Sequence, residues 1–339
     1  MTKRIQWVDI AKCICILCVI FSHLESSSEL FYNFINPFFL VTFFFCAGYC
    51  YSEKYDFRTF VYRKVRQLFI PWLVFSYGNI FLSHIKSFKQ HIDFSDELFR
   101  NLLQIRGYDD KLWFIAAIFV AYIPFYYVIR YANKNKDKKN IILFILLGIY
   151  ILRDLYFDFL PPTVFPWGSA SLPWHIDYIP LMLFYMYLGY YYRNGLEELL
   201  DKYNALPTRV FLLLAYFISV YIIKLDNTLI LIPYKILRHL VSILLIVFIC
   251  KKIKINNYLS FVGKNTLIYF SIHNKFSTLI EYIMKYFNQN IYPILNVLYS
   301  NEFLSNIYAA LLTIIISLVL IVPTILLNKY CPKLLGKEI

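Results

Sequence analysis

"DIAKCICILCVIFSHL", residues 9–24, sets the class of the whole chain. Twelve of its sixteen residues are apolar, and neither Gly nor Pro interrupts them. Such a run predicts a helix that crosses a bilayer, for which roughly 17–25 mainly apolar residues suffice. Yet Asp9, Lys12 and His23 sit within it. A charge at bilayer depth costs about 2.5–3.5 kcal/mol even on the mildest scale, so each such group should have a partner and a task. Lys12 and His23 are eleven residues apart. At helical pitch that is about 20° past three full turns, so both project from one face, about 16 Å apart along the axis. Asp9, three residues before Lys12, shares that side and lies within pairing reach. Ordinary membrane chemistry accounts for part of this pattern, since Lys12 can snorkel and a histidine can simply close a helix. Histidine is also the side chain best suited to proton transfer near neutral pH, which makes His23 a general-base candidate.

The rest of the chain agrees in class. Of its 339 residues 60% are hydrophobic and only 16% charged, against about 45–50% and about 25% in soluble domains. It reads as an all-α, polytopic integral membrane protein, a single domain over 1–339 with no appended soluble module. The net charge of +13 does not point to nucleic acid, because the Lys and Arg lie in short loops beside apolar spans. The seven cysteines are odd in number and lack zinc-ligand spacing, so they read as packing residues and no metal is expected. Lys3 and Arg4 resemble the start of a signal peptide. Asp9 and Lys12 interrupt its apolar core, however, and no small-x-small cleavage site follows, so the first span is expected to be retained.

Ten segments are apolar enough to expect spans: 7–24, 35–51, 68–85, 112–130, 140–157, 175–193, 208–223, 232–250, 265–284 and 304–328. Of the 34 Lys and Arg, 22 fall in one set of alternate segments, 8 in the other and 4 within spans. Short Lys/Arg-rich loops stay inside, so both termini are expected to be cytoplasmic. Trp7 and Trp72 then fall at inner ends of spans, and Trp113, Trp167 and Trp174 at outer ends, as an aromatic belt would have them. In the loop 86–111, "SDELFRNLLQI" predicts an interfacial helix with Ser95 as its cap and Phe94, Leu98, Leu102 and Ile105 on one face.

"WVDIAKCICILCVIFSH" also resembles the first helix of the acyltransferase-3 family, multi-spanning enzymes that O-acylate extracytoplasmic glycans. There a basic residue, usually Arg, precedes a required His by eleven positions; Lys12 and His23 match that spacing, with Lys in place of Arg. Lys is a point charge where Arg is a planar fork, which weakens any bidentate grip on phosphate. "FFFCAGYCYSEK" (43–54) is similar to the family's FF-x-x-SGY stretch, with Ala47 for Ser. "FVYRKVRQLFIPW" (60–72) resembles its RR-x-x-R-L-x-x-P element, and "LWFIAAIF" (112–119) its LWF helix start. "LPWHIDYIPLMLFYMYLGYYYR" (172–193) is similar to the span that ends in a Gly-aromatic signature. "FVGKNTLIYFSIH" (261–273) resembles the late GK-x-S-L helix, with Thr266 for Ser. The resemblances run in family order across residues 7–273.

The resemblance implies acetyl-CoA, or another acyl-CoA, as donor, and a sugar or glycolipid hydroxyl outside the membrane as acceptor. Arg63, Lys64 and Arg66 would then form a cytoplasmic mouth for the anionic donor, although positive-inside loop charge explains them equally well. Lys12 would meet the phosphates or the pantetheine arm. His23 would act as general base or become acylated itself. His273 could hold the thioester, donate to an oxyanion or bond a neighbouring helix. Lys264 and Asn265 could touch the donor, with a helix cap the plainer role for Asn265, and Asp9 either orients Lys12 or favours the helix dipole. Trp113, Trp174, His175 and Asp177 are candidates for the acceptor side; Trp167 and Trp174 lie in a loop with Pro161, Pro162, Pro166 and Pro173 and serve equally as interface anchors. His84, His91 and His239 form no interpretable pattern. The Ile, Lys, Asn, Tyr and Phe bias suggests an AT-rich bacterial genome, hence a bacterial cytoplasmic membrane. The rival class is a transporter with Lys12, His23 and His273 as a relay, against which no inverted repeat stands out.

Overall fold

The computed structural model describes residues 5–86, 93–108, 110–159, 165, 167, 171–223, 225, 227–290 and 301–337. Among them there is no strand; helices carry the fold. The chain forms two compact units. One comprises Met1–Phe43, Asp201–Lys224 and Arg238–Tyr330, the other Phe44–Leu200, Leu225–Leu237 and Cys331–Ile339.

Every apolar segment expected to span the bilayer is helical: α1 (Gln6–Ser22), α2 (Glu29–Tyr49), α4 (Ile70–Lys86, after α3, Phe57–Lys64), α6 (Trp113–Lys134), α7 (Lys139–Phe159), α8 (Ile179–Tyr191), α10 (Leu206–Tyr221), α11 (Thr228–Lys252), α13 (Thr266–Asn290) and α14 with α15 (Glu302–Val319 and Ile321–Tyr330). The short helices α5 (Phe94–Leu103), α9 (Glu197–Asp201) and α12 (Asn257–Lys264) complete the numbering. By length and composition five described helical runs are long and apolar enough to cross a membrane, six if Pro173–Asp201 and Leu206–Tyr221 count together. The remaining expected spans are shorter or carry more charge. Thus α1, with 17 residues, is about 26 Å long against a hydrocarbon core of about 30 Å.

Polar residues set the helix starts. Asp56 accepts from the Thr59 amide at α3, Asn256 from Leu259 at α12 and Asn301 from Phe303 and Leu304 at α14. Each satisfies an amide that the helix itself leaves open. At α5 the cap is Asp93, whose carboxylate accepts from the Ser95 amide and hydroxyl; Ser95 is not the cap, because it is already the second residue of the helix. The expected apolar face of α5 is also only partly inward. Phe94 and Leu102 are exposed and Ile105 is buried, while the inward face is polar, with Glu97, Asn101 and Gln104 buried. Asn101 accepts from Ser76, and Glu97 pairs with Lys111 and lies 3.4 Å from His84. A helix with Phe94, Phe99 and Leu102 exposed and polar partners inside inverts the pattern of a soluble surface helix.

In the first unit α1 is the central helix, packed on α12, α13 and α14, with Cys13, Cys15, Ile16 and Ile20 fully buried. In the second unit α6 packs on α8, and α7 on α8. The "AGY" and "LGYYY" glycines face main chain there. A Cβ on Gly48 would fall 1.7 Å from the Met186 carbonyl oxygen, and one on Gly189 2.0 Å from that of Phe45. The two helices therefore approach backbone to backbone, as small residues permit inside membranes. Arg193 closes the end of α2 by donating to the Tyr49 and Tyr51 carbonyls at 2.7 and 2.8 Å. All seven cysteines are free thiols, four of them buried.

Candidate functional site

His23 caps the C-terminus of α1. Its Nδ1 lies 2.7 Å from the Val19 carbonyl oxygen. A carbonyl cannot donate, so Nδ1 carries the proton and Nε2 presents a lone pair. His273, buried on α13, repeats the arrangement: its Nδ1 faces the Phe270 and Tyr269 carbonyls at 2.9 and 3.2 Å. Its Nε2 is buried without a hydrogen-bond partner. The two rings meet edge to face with centroids 5.0 Å apart. Two imidazoles thus stand in contact, and among the described residues neither basic nitrogen has a hydrogen-bond partner. Residues 250 apart in sequence make this pair, with each ring locked by the preceding turn of its own helix. Neutral His273 in this tautomer accepts a proton or a hydroxyl hydrogen bond; it does not donate to an oxyanion.

Lower on α1, Lys12 Nζ lies 3.5 Å from Asp9 Oδ1, with Asp9 almost fully buried. The expected i,i+3 pair is present on the continuous helix that also carries His23. Gly263 of "GKN" sits against this turn: a Cβ there would fall 2.0 Å from the Asp9 carbonyl oxygen and 2.9 Å from its Cα. The next residue, Lys264, is exposed at the end of α12. Asn265 is buried at the α12–α13 break, donating to the Phe261 carbonyl and accepting from Asn328. Its own carbonyl receives the Ile268 and Tyr269 amides. Asn265 therefore holds a joint between two helices.

The "RKVR" cations belong to the second unit. α3, a π-turn over Val65–Phe69 and α4 form one unbroken helical run, so these residues do not lie in a loop before a span. The run passes along α6, with Lys64 Nζ 3.6 Å above the Tyr122 ring and Phe60 against Tyr126. Arg63 rests on Tyr55 and Arg66 on Tyr62. Arg63 and Arg66 line a cavity of about 450 Å3 together with Gln67, Leu335, Gly336 and Lys337. Lys64 faces elsewhere. Another cavity, of about 350 Å3, lies between Lys136–Asn140 and Tyr190–Leu196; neither is lined by Lys12, His23 or His273.

Trp113, Trp174, His175 and Asp177 gather at a 3-10 turn, Pro173–Tyr178. Trp174 and His175 both take left-handed backbone, φ +57° and +52°, at a cost of about 1–3 kcal/mol each for residues with a Cβ. Asp177 holds the turn: its carboxylate accepts from the Leu172 amide at 2.9 Å, and its carbonyl from Arg153 at 2.8 Å. Arg153 also binds Asp154, which pairs with Lys235. His175 is fully buried beside Trp113, its Nε2 3.4 Å from Asp110 Oδ2. Trp174 packs on Trp72, centroids 5.0 Å apart, and stacks on Phe69. Trp72 and Trp174 therefore cannot mark opposite interfaces, as their places in the sequence suggested; a turn that folds inward brings them to one level. Pro161, Pro162, Pro166 and His91 lie outside the described residues.

Sequence reasoning missed Lys337 and Gly336, which line the arginine cavity and lack any spacing signal, and Asp110 and Arg106, which meet the His175 cluster only through the fold, Arg106 lying over the Trp113 and Tyr178 rings. The fold defines a helical membrane protein, with exposed His23 and buried His273 in ring contact. A family model described as an acyltransferase domain matches residues 5–326, nearly the whole chain, and the chain belongs to that family, acyltransferase-3. Neither a curated protein nor a solved structure matches it.

Proposed function

We propose that this membrane acyltransferase moves an acetyl or other acyl group from acyl-CoA to a hydroxyl of an extracytoplasmic glycan or glycolipid precursor, in a bacterial cytoplasmic membrane. The observation that carries the chemistry is the imidazole pair, with both Nδ1 atoms tied to main chain and both Nε2 atoms free to accept. His23 Nε2 takes the acceptor's hydroxyl proton as its oxygen attacks the thioester carbonyl. The tetrahedral intermediate then expels the CoA thiolate, which recovers that proton, leaving an O-acyl ester and free CoA. Such base assistance is worth about 10²–10⁴-fold. His273 lends its lone pair to the acceptor hydroxyl and orients it. Lys12, fixed by Asp9, attracts the donor's anionic portion.

The test is His23→Ala in full-length protein. Transfer of radiolabelled acetyl to the surface glycan should vanish, while expression and CoA binding persist. Normal glycan acetylation in that variant would falsify the assignment. Lys12→Arg should retain donor affinity and Lys12→Met should weaken it; equal affinity in all three proteins would remove Lys12 from the site.

A further inference from the structure

α13 is one unbroken helix from Thr266 to Asn290, and His273, Ser277 and Glu281 follow one another along it at four-residue spacing. Both ends of that stripe meet the end of α1. The His273 ring touches the His23 ring, and Glu281 Oε1 accepts from the Glu25 amide at 3.0 Å. Successive members of the stripe are rotated by about 40°, so Ser277, between the two, faces the same segment. Its burial agrees, with only 3% of the residue exposed. The segment is held from another side by α14, where Ser305 donates to the Ser26 carbonyl and Asn306 exchanges hydrogen bonds with Ser28.

A hydroxyl in a helix commonly donates to the carbonyl three or four residues back. On α13 Ser271 and Thr278 do so, to Leu267 and Asn274, and on α1 Ser22 does so to Val19. Ser277 does not: among the described residues its Oγ is buried without a hydrogen-bond partner. The buried hydroxyls of Ser26, Thr42 and Thr324 share that state, but of the four only Ser277 stands one turn from His273. A buried polar group left unpaired costs stability and calls for a reason. Acyl transfer supplies one. Attack on a thioester carbonyl moves its π electron pair onto the oxygen, and that oxyanion needs a donor. Both Nδ1 protons of the imidazole pair are given to main chain, and each Nε2 accepts, so the pair itself offers none. Lys12 lies eleven residues earlier on α1, about 16 Å along the axis. We infer that Ser277 is a further catalytic residue, its hydroxyl donating to the thioester oxygen as the tetrahedral intermediate forms. The bond from acceptor oxygen to acyl carbon forms while the hydroxyl proton passes to His23 Nε2. The carbonyl then re-forms, the carbon–sulfur bond breaks, and the CoA thiolate takes that proton; Ser277 keeps its own throughout. The assignment rests on the acyl-transfer reading above.

Inverted membrane vesicles, which carry the full-length protein and the cell's own glycan, are supplied with radiolabelled acetyl-CoA, and initial rates of label transfer are measured over a range of its concentration. Ser277→Ala should lower kcat about 10²-fold, the scale of one lost oxyanion donor, with KM for acetyl-CoA unchanged. Its melting temperature should be equal to that of wild type or higher, because an unpaired buried hydroxyl has been removed. Ser277→Thr keeps the hydroxyl and should recover at least ten-fold of the loss. Thr324→Val removes a buried unpartnered hydroxyl on α15 and should leave the rate unchanged. If wild type transfers acetyl and Ser277→Ala does so equally fast, the inference is wrong while the acyl-transfer reading stands. If wild type transfers none, both fall. A Ser277→Ala protein that is slow but melts early, or that loses only KM, makes Ser277 a packing or a binding group and overturns the inference, as would an equal loss of rate in Thr324→Val.

Discussion

The two histidines differ in what fixes them, and so in what their replacement should do. His23 is exposed at a helix end, held by a single carbonyl, so truncation leaves α1 intact. His273 is buried, and its removal leaves a hole beside α1 as well as removing a base. His273→Gln keeps much of the volume and an acceptor. It should lower the turnover number by about 10²-fold, toward the small end of proton-transfer effects, with little change in melting temperature. A variant that melts early but turns over normally would make His273 a packing residue. Asp9 is a positioning residue on this account, and its amide variant should raise the donor's Kd without abolishing turnover. Asp177 belongs to the turn: with its carboxylate given to Leu172, Ser171 and Arg153, it has little left for a sugar.

At the scale of elements, helix contacts explain why particular glycines stand in the motif stretches. Gly263 touches the Asp9 main chain, so Gly263→Ala must push α12 from α1 exactly where Lys12 and Asp9 pair. Overpacking of this kind costs about 1–3 kcal/mol, which should appear as a lower melting temperature in detergent. An unchanged melting curve would mean that the two helices are not in backbone contact. The cap of α3 adds a pH signature. The Thr59 hydroxyl and amide hold the Asp56 carboxyl below its ordinary value of 3.8. Its folded pKa being depressed, the cap is fully present above the unfolded value and is lost as pH falls through the folded one. Hydrogen exchange at the Thr59 amide should therefore accelerate beyond its intrinsic rate only in acid below that value. Asp56→Asn should abolish the step.

For the whole molecule, orientation is the checkable consequence of charge. If the Lys/Arg-rich loops are inside, the end of α2, where Cys50 is the one exposed cysteine, faces the cytoplasm. A membrane-impermeant maleimide should label Cys50 in inverted vesicles and not in intact cells; the opposite pattern would reverse the topology. The sequence alone was enough for the all-helical class, the positions of the helices and the Asp9–Lys12 pair, because periodicity, apolar length and the cost of buried charge are local properties written along one helix. What the sequence could not contain was decided by packing: the pairing of His23 with His273, 250 residues away; the inward turn that sets Trp174 on Trp72; the turning of Lys64 away from the arginines beside it; and the arrival of Lys337 at their side. Those are distances between helices, fixed by which surfaces bury each other best, and no spacing within a single segment encodes them.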